Sequence, residues 1–580
     1  MPFIFSSHLC KGYVMSSSAE SLFQGLQKTL AALMQGQGGA QGGLPAEAQA
    51  ASQALFQALQ AQHLALWQQM LNAGKDQPAP VVAEGVARDR RFAHPAWQES
   101  RLHDYLRQAY LLNADYIQHM IALAPEGHEK NRLMFFARQV VDALAPSNFI
   151  ATNPEFIQAA LATQGESIRL GMQNLIGDLE KGRISMTDES VFEVGKNLAT
   201  TPGAVVYENE VMQLIQYAPQ TKKVAARPLL IVPPCINKFY ILDLQPENSL
   251  VRYAVEQGQT VFLISWRNVS ADLGSLTWDD YLLQGPIKAI EVVQKIRKMP
   301  QINALGFCVG GTILASALAV LRAGGSDPVA SLTLLTTLLD FSDTGELACF
   351  IDEPSLAMRE ATIGQGGLLS GRDLSAVFSA LRANDLVWPY VVNNYLKGMK
   401  PAAFDLLYWN SDSTNLPGPF LVWYLRHMYL ENSLREPGKL TMCGQQVDLK
   451  RVDMPVFLLA CREDHIVPWK TSYLGRSLLG GGSEFVLGAS GHIAGVINPA
   501  AKNKRSYWVH DSHAEKREDK NIPADAWLAS AKEVQGSWWP RWMAWLNERG
   551  GKQVAAPRRL GSADFFEIEP APGRYVKEKA

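Results

Sequence analysis

The sequence predicts an α/β protein: a mostly parallel sheet covered on both faces, interrupted by a cap insertion and preceded by a mainly helical N-terminal domain. Three observations predict it. From about residue 190 onward, short apolar runs of strand length alternate with helical stretches, the signature of a parallel sheet buried on both faces. Before residue 190, apolar residues recur at helical spacing instead. Finally, NALGFCVGGTILASALAV (303–320) reads as a strand end, a glycine-flanked turn and a helix, with one cysteine at the apex.

The helical domain is placed at 1–190. Its first 50 residues are expected to be flexible, because GQGGAQGGLPAEAQAASQ (36–53) has the Gly/Gln/Ala composition of a linker. Met15, followed by SSSAESLFQGL, offers an alternative translation start. Next, QALFQALQAQHLALWQQML (53–71) puts Leu55, Leu59, Leu64 and Trp67 near helical spacing, and WQESRLHDYLRQAYLLNADYIQHMIAL (97–123) is similar. Such faces serve either packing within a bundle or a partner surface.

With 47% apolar and 19% charged residues over 580 positions, the chain has the balance of a folded soluble protein. A net charge of −2 argues against nucleic acid as the main partner. The six cysteines (Cys10, Cys235, Cys308, Cys349, Cys443, Cys461) are scattered without a C-x-x-C pair. That fits reduced thiols, and neither a disulfide framework nor a metal site is expected. No apolar run approaches a membrane span, and the start lacks the regions of a signal peptide. The expected location is the cytoplasm.

The second domain is placed at 191–580. TPGAVVYENEVMQLIQYAP (201–219) reads as a hairpin around the ENE turn. Strands are expected at 228–234, 259–266, 302–307, 330–340, 454–464 and 483–492, with helices at 239–257, 278–296 and after Cys308. The rhythm breaks between Asp340 and Leu449, a stretch rich in Trp, Tyr and Phe. It is far longer than an ordinary α/β connection, so a cap subdomain is expected over about 341–447, above the sheet's C-terminal edge. Its aromatic residues serve either core packing or substrate enclosure.

Gly306-Phe307-Cys308-Val309-Gly310 fits the nucleophile-elbow pattern G-x-S-x-G with cysteine in place of serine. The glycines relieve crowding where a strand turns sharply into a helix, and the helix N-terminus favours a thiolate. Gly-rich turns recur in nucleotide-binding folds, but no Gly-Lys-[Ser/Thr] follows here. After such an elbow the acid and then the base should follow the nucleophile, each past a strand. Asp464 and His492 meet that order, with Asp340 and Glu463 as competing acids. His492 would take the thiol proton and later a substrate hydroxyl proton; Asp464 would orient the imidazole or help with the hydroxyl. Oxyanion donors are expected at the backbone N–H of Val309 and, on the loop after LLIVPP, around Cys235 and Ile236. His465 is a candidate substrate contact, with a structural role as the competing reading, and Asn237, which follows the oxyanion-side loop, is a candidate for shaping the pocket. A thiol nucleophile exchanges with a thioester near energy balance and leaves an acyl group still reactive toward an alcohol. The cysteine therefore points to acyl transfer from a thioester.

DRRFAHPAW, TPGAVVYENE, PPCINKFYILDL, GFCVGGT, RANDLVWPYVVNNYLKG, FDLLYWNSDSTNLPG, CREDHIVPW, GASGHIAGVINPA, GSWWPRW and EPAPGRYVKEKA together carry a resemblance. Over about 85–580 the chain resembles the polyhydroxyalkanoate synthases, especially the single-subunit class I type. The resemblance implies an α/β-hydrolase-like catalytic core under a cap, and an (R)-3-hydroxyacyl-coenzyme A substrate joined head to tail with release of coenzyme A. It implies an acylated Cys308, His492 as base and Asp464 aiding the 3-hydroxyl, with no resident cofactor. It further implies a homodimer, and attachment of the helical part to the surface of a growing polyester granule in the cytoplasm, where granule-associated proteins are candidate partners. Arg382 is a candidate for the coenzyme A phosphates, with a helix salt bridge as the competing reading. Trp538, Trp539, Trp542 and Trp545 suggest either a docking helix or C-terminal packing on the sheet, and packing is expected. A thioesterase or polyester depolymerase of the same fold is the alternative function.

Overall fold

A computed structural model of the chain describes residues 46–72, 81–83, 88–510 and 522–580, which divide into two units. One unit holds the described residues up to Asp188 together with Ala376–Ala403; the other holds Glu189–Ser375 and Phe404–Ala580. The expected 341–447 insertion is thus shared, its middle portion belonging with the helices. Cys10, Met15 and most of the expected flexible start lie outside the described residues.

The helical unit is built on Ala46–Asn72, Arg101–Ala122, His128–Ala143, Pro154–Ala162 and Glu166–Lys181. The first of these begins inside the stretch expected as a linker. After the last glycines, AEAQAASQ holds only Ala, Glu, Gln and Ser, and alanine-rich sequence propagates a helix readily. The face it buries is also set slightly round from the expected one. Leu59 and Leu66 pack with Ala83 and Leu112, whereas Leu64 and Trp67 are exposed. Within the same unit, Arg107 pairs with Asp104 at 2.6 Å, both nearly buried. Tyr395 donates to Asp178 at 2.8 Å.

The second unit centres on an eleven-stranded sheet. In chain order its strands are β1 (Gly203–Glu208), β2 (Met212–Tyr217), β3 (Leu229–Val232), β4 (Val261–Trp266), β5 (Ile302–Phe307) and β6 (Val329–Leu335). They continue as β7 (Val456–Cys461), β8 (Ser483–Gly488), β9 (Ser506–Val509), β10 (Lys532–Gln535) and β11 (Glu569–Pro570). The spatial order is β10-β9-β8-β7-β6-β5-β3-β4-β2-β1-β11. The six central strands, β8 to β4 in that order, run parallel, and antiparallel strands extend both edges. Every residue of β4, β5, β7 and β8 is buried, which is why these strands read as unbroken apolar runs rather than as alternating ones.

Register puts the strand ends level. Phe307 pairs with Leu335, Leu335 with Leu459, and Cys461 with Gly488. Chain that leaves β5, β7 and β8 therefore emerges along one edge. Two expected helices are broken. The 278–296 helix divides into Trp278–Leu282 and Lys288–Arg297 around a π-helical turn at Leu283–Ile287; Pro286 lacks the N–H to continue the ladder. The 239–257 helix divides into short turns and a helix at Leu250–Glu256.

The four tryptophans of the Trp539–Asn547 region are all buried against one face of the sheet. Trp542 is fully enclosed, and its indole donates to Thr333 Oγ1 on β6 at 3.0 Å. Replacing Trp542 with Ala should lower the free energy of unfolding by about 3–5 kcal/mol through lost burial and the cavity left behind. The measurement is a urea transition displaced in midpoint at an unchanged slope.

Candidate active site

Cys308 sits between β5 and the helix Val309–Ala323, with its backbone at φ 53°, ψ −129°. That conformation is strained for a side-chain-bearing residue, and its surroundings hold it there. Its N–H donates to Leu335 O at 2.9 Å, and its carbonyl accepts from Gly311 N at 2.9 Å. The turn is possible only with bare backbone beside it. A Cβ on Gly310 would collide with the carbonyls of Val232 and Pro233, and one on Gly306 would collide with Gly311. Val309 opens the helix, so its N–H has no acceptor within the helix.

Asp464 follows β7 and is buried. Its Oδ1 accepts the backbone N–H groups of Ile466 and Val467 at 2.9 and 2.8 Å. Its Oδ2 accepts His492 Nδ1 at 2.6 Å. His492 follows β8 at the start of the short helix His492–Val496. Its ring stacks on Phe307 at 5.7 Å, and the Cys308 sulfur lies near enough to act on its charge. The indoles of Trp538 and Trp539 donate to the carbonyls of Gly495 and Val496 at 3.0 and 2.9 Å, fixing that helix from behind. The structure thus joins Cys308, His492 and Asp464 in one chain of contacts. The competing acids are elsewhere: Asp340 is engaged by Asn432, Arg435 and the Ser342 N–H, and Glu463 is exposed.

Burial alone would push the His492 pKa down. The Asp464 carboxylate, its hydrogen bond and the Cys308 sulfur outweigh it and push it up to about 10. Set between Asp464 and the sulfur, the ring is basic enough to hold a proton as one half of an ion pair with the thiolate.

Two phenols from the insertion close the site. Tyr424 and Tyr429 lie close enough to Cys308 for its charge to act on them, and burial raises both pKa values. Their rings meet edge-on at 5.4 Å, and Phe341 packs on both. Tyr429 sits on a π-helical turn, Leu425–Leu430. The aromatic density of this stretch was the only signal for its place here, and it does not distinguish these two residues from their neighbours.

The remaining candidates separate. Cys235 is buried and close enough to Cys308 for electrostatic coupling, and Ile236 follows it, half-buried. Asn237 forms a bridge with Ser413. Beside it Lys238 is buried. Burial pushes its pKa down to about 8 against the attraction of Asp412, and its ammonium donates to Glu578 O at 2.6 Å. His465 is half-buried directly after Asp464. Arg382 belongs to the helical unit, where it is exposed and pairs with Asp385 at 2.9 Å. Among the described residues no group of His, Cys, Asp or Glu is placed to hold a metal ion, and no helix is long and apolar enough to cross a membrane.

An elbow at Cys308, with acid and base after successive parallel strands, defines an enzyme of the alpha/beta hydrolase fold, the family that residues 228–499 match. Residues 88–254 match a second family, described as Poly-beta-hydroxybutyrate polymerase (PhaC) N-terminus. The chain is 55% identical over 522 residues to the poly(3-hydroxyalkanoate) polymerase subunit PhaC of Cupriavidus necator, spanning 89% of this chain and 86% of that one. It is 43% identical to the protein of the same name from Rhizobium meliloti, over 85% of this chain and 80% of that one. To the poly(3-hydroxyalkanoate) polymerase of Methylorubrum extorquens it is 42% identical, over 89% and 85%. The chain belongs to the poly(3-hydroxyalkanoate) polymerase family.

A histidine with a raised folded-state pKa contributes stability that is fully present below its ordinary value of 6.5 and is lost as pH rises through about 10. The parent chain should therefore lose thermal stability relative to His492→Gln as pH rises from its ordinary value of 6.5 to about 10, with little further loss above that. Unfolding scans across that range test it; parallel pH curves for the two chains would contradict it.

Proposed function

We propose that this enzyme joins (R)-3-hydroxyacyl-coenzyme A units into poly(3-hydroxyalkanoate), releasing coenzyme A, through an acyl thioester on Cys308. The observation that carries the reading is the Asp464–His492–Cys308 chain at the C-terminal edge of the parallel strands. Family membership supports the substrate class.

His492 takes the Cys308 proton, and the sulfur attacks the thioester carbonyl of the acyl-coenzyme A. Charge developing on the carbonyl oxygen is received by the N–H groups of Val309 and Ile236. Collapse expels the coenzyme A thiolate, which leaves with the proton held by His492. The 3-hydroxyl of another unit then attacks the acyl-cysteine, giving its proton to His492 with Asp464 holding the charged ring. An ester forms and the thiol is restored. Phe341, Tyr424 and Tyr429 enclose this second step, which favours an alcohol over bulk water as acceptor.

In this reading His465 and Asn237 line the substrate side of the same edge. The enzyme acts as a homodimer in the cytoplasm, at the granule surface. Helix Glu166–Lys181 exposes Ile168, Met172, Ile176 and Leu179 along one face, an apolar stripe suited to a polyester surface.

Incubation with 3-hydroxybutyryl-coenzyme A should give insoluble polyester and free coenzyme A in proportion. Free 3-hydroxybutyrate as the sole product would replace this reading with a thioesterase. Cys308→Ala should abolish coenzyme A release, a loss of at least about a thousandfold.

A further inference from the structure

The loop after β3 runs Pro233-Pro234-Cys235-Ile236-Asn237-Lys238, and its carbonyls are tied in one direction. Thr414 Oγ1 donates to Cys235 O at 2.5 Å and lies 2.8 Å from Ile236 O. The Thr414 N–H donates to Ile236 O at 3.0 Å, and the Trp409 indole donates to Lys238 O at 2.7 Å. The segment supplying these groups is itself fixed. Tyr240 donates to Asp412 at 2.9 Å, Lys579 pairs with the same carboxylate at 2.9 Å, and Asn415 N donates to Asn268 Oδ1 at 2.9 Å.

A trans peptide is planar, with its C=O and the following N–H pointing in opposite directions. The Cys235 carbonyl and the Ile236 N–H belong to one such plane. A hydroxyl that holds the carbonyl therefore aims the N–H the opposite way. The elbow is close by: Cys235 is near enough to Cys308 to feel its charge, and Gly310 abuts the carbonyls of Val232 and Pro233 at the start of this loop. Thr414 is almost fully buried, so no bulk water stands ready to replace its hydroxyl.

We propose that Thr414 is a positioning residue for the oxyanion hole: its hydroxyl holds the Cys235–Ile236 peptide so that the Ile236 N–H faces the reacting carbonyl. The proposal rests on the acyl-transfer reading of Cys308. It makes the 405–415 segment of the insertion part of the catalytic frame as well as of the cover. Thr414 touches neither substrate nor sulfur in this role; it acts through the peptide that it orients.

The test uses the full chain and 3-hydroxybutyryl-coenzyme A, with coenzyme A release giving kcat and KM separately. Thr414→Val keeps the shape and removes the hydroxyl; it should lower kcat about ten- to hundredfold with KM within about twofold, since transition-state charge loses a donor and ground-state binding does not. Thr414→Ser, which keeps the hydroxyl, should recover most of that loss. Should the valine chain fail to fold, Thr414→Cys, a weaker donor of similar volume, is read on the same kcat-to-KM split. Parent-like kcat in the folded valine or cysteine variant overturns the proposal, as does an equal fall for valine and serine. Cys308→Ala, run alongside, separates the two failures. If it is inactive while Thr414→Val keeps its kcat, only the role of Thr414 falls. If it still releases coenzyme A at the parent rate, the reading of the whole site falls with it.

Discussion

Everything in the catalytic unit is arranged around one reversal of chain direction at Cys308. A buried strand must become a buried helix within a single residue, and that residue must carry a sulfur. The backbone accepts a left-handed φ there because the Leu335 carbonyl and the first turn of the following helix take up its polar groups. Gly306, Gly310 and Gly311 supply the room, and neighbouring strands close over them. The side chain is left standing at the end of a level row of strands. Once the sulfur is there, the positions open to an acid and a base are those reached by chain leaving the adjacent strands.

The base is held by opposing demands. A buried imidazole loses hydration and would shed its proton, yet Asp464 and the Cys308 sulfur together outweigh that loss, and the Asp464 carboxylate is itself buried with its other oxygen occupied by two backbone N–H groups. Asp464 cannot turn away to water. Trp538 and Trp539 supply the corresponding mechanical restraint, holding the carbonyls behind His492 while their rings fill the space under the sheet. Rings that pack a core also hold the backbone behind His492, so packing and positioning share the same atoms.

Much of this was legible in the chain itself. Runs such as VFLISW and INALGF carry no polar interruption, so their burial on both faces and their parallel pairing could be read directly. The order Cys308, Asp464, His492, each just past a strand, followed from the topology that such runs impose. Contacts between distant segments were not legible. Nothing near Thr414 marks it as the partner of Cys235 and Ile236, because that pairing exists only once an insertion folds back onto the sheet. Local signals also misled where two were in competition. Glycines before Ala46 suggested a linker that the alanines after it do not continue, and helical periodicity across 278–296 outweighed the Gly285-Pro286 pair that breaks it. The sequence already prefers Asp464 to Asp340, and the hydrogen-bond partners separate the two in the fold.

The two indole anchors also bear on how the enzyme comes into being. Synthesis delivers Cys308 and its strand well before Trp538 and Trp539 leave the ribosome. Until they do, the carbonyls of Gly495 and Val496 lack their partners, and the short helix that begins at His492 has nothing behind it. A nascent chain thus carries its sulfur without a fixed base. The order of residues alone sets that sequence, with the sulfur made first and the restraint behind His492 made after it.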